Sequence, residues 1–327
     1  MVEITRYEPL HAALWNDFVA RSKNGTFLFN RDYMDYHADR FSDCSLLVFE
    51  RREKRGGDVS PSRGDRIQQR LLALLPANRV GNDLYTHQGL TYGGLVISQR
   101  VSIATVCDIF RAVNIFLRAL NIKRIVYKPV PWIYHPMPSE EDLYAITHVC
   151  GARLIDRQVS SALTFYRPAF TESRRGGIRK AIRSGLTVGQ SRDVDAFWDI
   201  LEGNLGQRHH TRPVHTSDEM KQLMSRFPDN IKLYMVYDDT RPVGGAVVYE
   251  TSQVAHTQYI SATEEGKRRG ALDLLFDELL HNVYTEKPCF DFGTSMTDGH
   301  LNRPLIFQKE GFGARTVCYD CYEWEII

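Results

Sequence analysis

The sequence predicts an α/β (α+β) chain of two similar halves, each a mixed, mostly antiparallel sheet flanked by helices. Three observations carry that prediction. Short β-leaning runs alternate with amphipathic runs of helical spacing along the chain. The order strand, helices, antiparallel strands, long helix, strand, helix, strands is met twice, without literal identity between the two passages. Between them, residues 167–179 (RPAFTESRRGGIR) combine Pro, a Gly pair and charge, the composition of a boundary, which sets domains at 1–166 and 167–327.

In the first half, residues 2–7 alternate as a strand. Residues 10–20 form a helix with Leu14, Trp15 and Phe18 on one side, and 46–50 return to a strand. Residues 51–69 (RREKRGGDVSPSRGDRIQQ) are charged and rich in Gly and Ser; they cannot bury a core and read as a mobile hairpin loop with solvated basic residues. Residues 71–76 and 83–97 continue the sheet. A long helix spans 101–120, with Ile103, Val106, Ile109, Val113 and Leu117 as its apolar stripe. After a buried strand at 125–127, a capping box of Ser139 and Asp142 opens a helix over 139–150, and 154–166 give one or two strands.

The second half starts with a strand at 186–188. Helices follow at 194–205 and 217–227, the latter capped by Ser217. Strands 231–237 and 243–250 are joined by a turn at 238–242, where Pro242 suits a turn better than a central strand. Residues 254–260 (VAHTQYI) are a short strand and 261–270 (SATEEGKRRG) a small, polar, basic loop. Residues 271–281 (ALDLLFDELLH) form a helix with Leu272, Leu275, Phe276 and Leu279 on one face and Asp273, Asp277 and Glu278 on the other. A buried strand at 290–293 and the segment 306–313 (IFQKEGFG) close the unit.

A length of 327 residues suits two domains of roughly 100–200 residues each. Hydrophobic content of 43% with 25% charged residues is that of a soluble globular protein. The net charge of +1 argues against a dedicated DNA binder. No apolar run approaches the ~20 residues of a membrane span, and the first residues lack a signal-peptide core, so a cytoplasmic location is expected. The six cysteines are spread too widely for a disulfide framework. Cys318 and Cys321 have CxxC spacing, but in a β-rich tail positions three apart point to opposite faces. With no second CxxC or HxxxH, they read as buried or idle thiols rather than a metal or redox site.

Function concentrates at 254–313. The first turn of a helix leaves its N–H groups unpaired and carries partial positive charge. Gly266 and Gly270 let the backbone come close to a ligand, and Lys267, Arg268 and Arg269 add full charges at the same end. Together they make an anion site suited to a pyrophosphate, although the same residues also suit an ordinary strand-to-helix turn with solvated cations.

The element order, with a phosphate loop between the fourth strand and third helix of the half, resembles the Gcn5-related N-acetyltransferase (GNAT) superfamily. Two copies in one chain resemble the Fem-type (FemAB-like) peptidoglycan aminoacyltransferases. Residues 259–275 (YISATEEGKRRGALDLL) resemble the donor-loop and helix signature, 289–293 (CFDFG) the strand written YDFG in that group, and 305–314 (LIFQKEGFGA) its closing FK-x-GFG motif. The resemblance covers 180–327 in sequence and 1–166 in plan only. It implies a donor-binding second domain, an acceptor-side first domain with a degenerate donor loop, and acyl-CoA (acetyl-CoA) as co-substrate without a metal.

Under that resemblance, Ser261, Ala262, Thr263, Gly266, Lys267, Arg268, Arg269, Gly270 and Ala271 hold the donor, and Gln258 and Tyr259 lie beside its carbonyl. Lys309 matches the motif's Lys and would stabilise an oxyanion or a donor phosphate; alone it also reads as a surface lysine. Phe307 stands where many single-domain acetyltransferases have a Tyr that protonates the leaving thiolate, and a Phe cannot donate a proton. The loop 207–215 (QRHHTRPVH) supplies His209 and His210 as candidate bases and Arg208 as a substrate contact, or is simply polar. His87, Gln88, Tyr127 and Lys128, at aromatic and polar strand ends, are candidate acceptor contacts in a cleft. The expected function is an acyl-CoA-dependent N-acyltransferase acting on an amine of a small molecule, amino sugar or cell-wall precursor. Two alternatives stand beside it: an aminoacyl-tRNA-dependent Fem-type transferase, the one reading in which tRNA is a partner, and a non-catalytic ligand-binding module.

Overall fold

A computed structural model describes residues 1–51, 69–165, 167–209 and 212–326, with the side chains of 207–209 left aside. They form two compact units, Met1–Arg157 with Tyr319–Ile327, and Gln158–Cys318. The first holds β1 (Val2–Arg6), α1 (Ala12–Arg21), α2 (Arg31–Met34), β2 (Ser42–Asp43), β3 (Leu46–Arg51), β4 (Gln69–Leu75), β5 (Asn78–Val80), β6 (Asp83–Tyr85), β7 (Val96–Ile97), α3 (Ile103–Ala119), β8 (Arg124–Tyr127), α4 (Glu141–Val149) and the start of β9 (Arg153–Leu163). The second holds the end of β9, α5 (Glu172–Arg183), β10 (Leu186–Ser191), α6 (Val194–His209), α7 (Ser217–Arg226), β11 (Ile231–Asp238), β12 (Arg241–Glu250), β13 (Val254–Ala262), α8 (Glu264–Arg269), α9 (Ala271–Glu278), β14 (Cys289–Thr294), β15 (Met296–Thr297), β16 (His300–Leu301), α10 (Arg303–Glu310) and the start of β17 (Arg315–Glu325).

In the first unit, β1-β3-β4-β7 form an antiparallel sheet, and β17-β8-β6-β5-β2 another in which β6 and β8 run parallel. β3 and β4 pair from Leu46↔Leu75 to Arg51↔Gln69. The loop expected at 51–69 lies, but for its two ends, outside the described residues. Helix α3 buries Val106, Ile109, Val113 and Leu117 as expected, while Ile103, in its first turn, is exposed. The expected capping box at Ser139 does not form: α4 starts at Glu141 without a side-chain cap, and Asp142 instead faces inward to the Tyr127 hydroxyl.

The second unit's sheet runs β10-β11-β12-β13-β14-β9, antiparallel except where β13 meets β14. Two helix starts differ from expectation. α7 is capped by Thr216, one residue early, whose box partner Glu219 sits at the right spacing. The basic loop 261–270 is itself mostly helix, because Thr263 caps it: its Oγ1 accepts from Gly266 N–H at 3.0 Å.

Gly270 then turns the chain from α8 into α9 with φ +82°, a conformation that favours glycine. Its bare α-carbon lies against α5, where a Cβ would come 2.4 Å from the Gly177 carbonyl oxygen. The Gly pair expected at a domain boundary therefore sits inside a helix and lets it approach α9 closely. Beside the contact, Arg174 donates to Asp273 Oδ1 at 2.6 Å. Substituting Gly270→Ala adds about 1–2 kcal/mol of left-handed backbone cost to a backbone clash. Urea unfolding is expected to show a loss of at least about 2 kcal/mol, with the transition slope unchanged.

Candidate active site

The site is built where two parallel strands separate. β13 pairs with β14 only at Val254↔Cys289, Ala255↔Phe290 and His256↔Asp291. Beyond that point each strand is bent away by a local irregularity. On β13 the register with β12 shifts so that Thr257 faces Val248 and Tyr259 faces Val247, leaving Gln258 as a bulge residue. On β14, Gly293 takes φ +77° and the pairing with β9 slips between Asp291 and Thr294. The gap opens into a cavity of about 300 Å³. Its walls include Ile260, Ser261 and Ala262 of β13, Phe292 of β14, Leu272 and Phe276 of α9, Asn204 of α6, Lys267 of α8, and Gln308 and Lys309 of α10.

Lys309 is the buried cation of this cavity, 4% exposed. Its ammonium donates to Gly293 O at 2.7 Å and Thr294 O at 3.0 Å, main-chain oxygens freed where β14 turns aside. Burial lowers its pKa to about 8, against the opposing pull of Asp291. Asp291 is fully buried and accepts from Ser160 Oγ at 2.6 Å, Gly293 N at 2.9 Å and His256 Nδ1 at 2.9 Å. On the α6 side, Tyr259 Oη meets His215 Nδ1 at 2.6 Å, and its ring packs edge-on to Trp198. Burial raises the Tyr259 pKa. The bulge residue Gln258 carries a buried Oε1 with no hydrogen-bond partner among the described residues.

Of the predicted site residues, Ser261, Ala262, Lys267 and Lys309 line the cavity together, and Gln258 and Tyr259 lie on the strand that leads to it. Thr263 and Gly266 are spent on the α8 cap, and Ala271 is buried. Lys267 bonds Asn204 and Glu264. Arg269 is committed to both oxygens of Asp238, to Glu265 and to Ser184 O. Gly270 points its N–H back at Lys267 O at 3.3 Å. Arg268 is exposed and makes no ion pair among the described residues.

His209 ends α6, but its side chain, that of Arg208, and His210 lie outside the described residues. In the first unit, His87 is buried, which with His37 pulls its pKa down to about 4. Gln88 exchanges two 2.8 Å bonds with Asn78. Tyr127 is wholly buried, donating to Asp142 at 2.5 Å and accepting from Leu95 N at 2.7 Å. Lys128 is exposed, with its main-chain N–H on Thr86 Oγ1.

Sequence reading missed His256, Asp291 and Asn204, and took the buried His215 only as one of three histidines in the loop 207–215. Asp291 lay in the quoted CFDFG strand and His256 in VAHTQYI, each inside an apolar run where a charged or titratable residue needs a buried partner. Among the described residues no group of three His, Cys, Asp or Glu side chains is placed to hold a metal ion. No helix there is long and apolar enough to cross a membrane.

Residues 172–300 match the acetyltransferase (GNAT) domain family. No curated protein sequence matches the chain. Among solved structures the chain is similar to FemX, with 10% identity, 99% of this chain and 97% of that one covered, and a TM-score of 0.65. A tandem GNAT protein from the clavulanic acid biosynthesis pathway aligns over 100% and 99% of the two chains at 13% identity and TM-score 0.51. L-PGS from Bacillus licheniformis covers 77% and 80% at 12% identity and TM-score 0.54. At these identities the likeness is one of fold, and the family match lies within the second half of the chain.

The Lys309 shift has a readable consequence. Its folded pKa lies below the ordinary 10.5, so the unfolded chain binds the proton more tightly. The stabilising contribution is complete above about 10.5 and is lost as pH falls through about 8. At 1.36 kcal/mol per pKa unit the limit is about 3 kcal/mol. Urea unfolding of wild type is expected to strengthen across this window relative to Lys309→Met, which lacks the titrating group.

Proposed function

We propose that this tandem GNAT-fold chain is an N-acyltransferase that moves an acyl group from acyl-CoA, acetyl-CoA in the simplest case, to an amine of a small molecule, amino sugar or cell-wall precursor. The observation that carries this reading is the cavity of about 300 Å³ at the split of β13 from β14, with the buried Lys309 in its wall. Main-chain groups that have lost a ladder partner at such a split must find another, and an acyl carbonyl and an amide-bearing arm are suitable partners. The first-turn N–H groups of α9 lack intrahelical partners by geometry, and Leu272 of that turn lines the cavity. Lys267 and Arg268 are the cations for a donor phosphate, and the Lys309 ammonium stabilises the oxyanion formed as the amine attacks. In this reading the half from 167 holds the donor and the half up to 166 serves the acceptor. A CoA thioester also fits the cytoplasmic location expected from the sequence.

One observation favours an aminoacyl-tRNA donor instead. Arg269 is already neutralised by Asp238 and Glu265, and Glu264 and Glu265 bring negative charge to the start of α8. A pyrophosphate would meet fewer spare cations there than the sequence implies. An acyl ester on a tRNA end needs the cavity but not that corner.

Calorimetry separates the two. Acetyl-CoA is expected to bind wild type, and Lys267→Ala with Arg268→Ala to raise Kd by about tenfold, roughly 1.4 kcal/mol. If acetyl-CoA gives no heat while charged tRNA binds with an affinity that falls steeply with salt, the aminoacyl-ester reading replaces this one.

A further inference from the structure

Whichever amine is acylated, it must lose a proton, and the residues aligned with acyltransferase motifs do not say where that proton goes. Lys309 lines the cavity, but its ammonium already donates to two main-chain oxygens, Gly293 O and Thr294 O, which commits it as a donor. Phe307 has no proton to exchange and is 71% exposed. Two more titratable groups stand at the split, Asp291 and His256.

We infer that His256, oriented by Asp291, is the proton acceptor for the attacking amine; this rests on the acyl-transfer reading of the same cavity. His256 and Asp291 are the last residue pair of β13 and β14 before the strands part. Asp291 accepts from His256 Nδ1 at 2.9 Å, while Ser160 Oγ and Gly293 N fix its other oxygen. An acceptor at Nδ1 makes that nitrogen the protonated one and leaves the lone pair on Nε2. Nε2 makes no hydrogen bond among the described residues. The ring runs beside Gly293: a Cβ built there would lie 3.4 Å from His256 Cε1, the carbon between the two nitrogens. The carbonyl of that same glycine holds Lys309. One residue thus separates a base on β13 from the cation in the cavity wall.

The step balances as follows. The amine nitrogen attacks the thioester carbonyl carbon and a C–N bond forms. The carbonyl oxygen becomes an oxyanion beside Lys309, and the ammonium proton passes to His256 Nε2. Collapse breaks the C–S bond, and the CoA thiolate leaves as the thiol once it takes up a proton, from the imidazolium directly or through solvent. Amide and CoA are the products, and the imidazole is neutral again. Asp291 does not touch the reacting atoms and acts as a positioning residue, holding the tautomer.

The test uses the full chain with acetyl-CoA as donor and glucosamine as acceptor probe, reading CoA release, with calorimetry for acetyl-CoA binding. His256→Gln is expected to bind acetyl-CoA as wild type does, which also shows that it folds. It should lose kcat by about 10²-fold or more with KM for acetyl-CoA unchanged, and added imidazole should restore part of the rate. Asp291→Asn should lower kcat and, with His256 still present, gain nothing from imidazole. Wild-type rates in His256→Gln, a raised KM with intact kcat, or acetyl-CoA binding by wild type without any CoA release would each overturn the inference. Failure of wild type to bind acetyl-CoA would overturn the donor reading itself, a result distinct from the others.

Discussion

Parallel pairing confined to three residue pairs is the constraint on which the second unit depends. A strand that leaves its neighbour strands its own N–H and C=O groups, and buried main-chain groups without partners are costly. Here the cost is met by side chains with nowhere else to go. Asp291 accepts from the Gly293 amide and holds β9 through Ser160 and β13 through His256. Lys309 takes the Gly293 and Thr294 carbonyls. Removing either leaves a buried charge facing unpaired dipoles, so the split is stable only as a set. Of that set, Lys309 is the member that stands in the cavity wall.

The flanking helices keep the gap from closing. Leu275 and Phe276 of α9 sit in one core with Phe290, Phe292 and Phe312, and the Phe276 ring stands edge to face with those three at 4.9–6.2 Å. Aromatic pairs of this kind prefer offset or perpendicular contacts, so they fix separation as well as adhesion. α9 reaches this position because Gly270 and Gly177 permit a close crossing with α5. From sequence, Gly270 was open to a phosphate-binding role or an ordinary strand-to-helix turn, and Gly177 read only as part of a domain boundary. For Gly270 the packing role is visible: the missing Cβ is filled by a neighbouring carbonyl, not by open space.

Periodicity made most of the architecture legible. The stripe of α3 follows from helical spacing, and the strands from Ile231 to Ala262 and the buried β14 from short apolar, β-leaning runs, since burial on both faces leaves a continuous mark rather than an alternating one. Errors gathered where tertiary contact outweighs local preference. Ser139 has the spacing of a cap, yet burying Asp142 against Tyr127 moved the helix start. Residues 264–269 looked like a loop because they hold a glycine and no apolar residue to mark a buried face, but Thr263 supplies a cap and Gly270 a stop. At the site, Lys309 was found through a motif, whereas His256 and Asp291 escaped because neither is informative alone. Their meaning lies in a pairing across 35 residues that only the sheet register creates.

Charge along α8, acidic in its first turn and basic in its last, bears on which donor the proposed reading favours. Three consecutive cations read, in sequence, as a phosphate grip. In the fold, Arg269 forms a two-oxygen contact with Asp238 and Lys267 turns toward Asn204, which leaves Arg268 facing solvent. A lone exposed guanidinium attracts an anion only weakly at physiological salt, where charges about 8 Å apart are screened. In the proposed reading most of the donor affinity then comes from the enclosed part of the site: the apolar walls of Leu272, Phe276 and Phe292, and the polar groups of Asn204 and Ser261 that face each other at 2.8 Å. Such a site recognises the acyl arm more than its phosphate handle. The same geometry therefore tolerates a change of handle more readily than a change of acyl group.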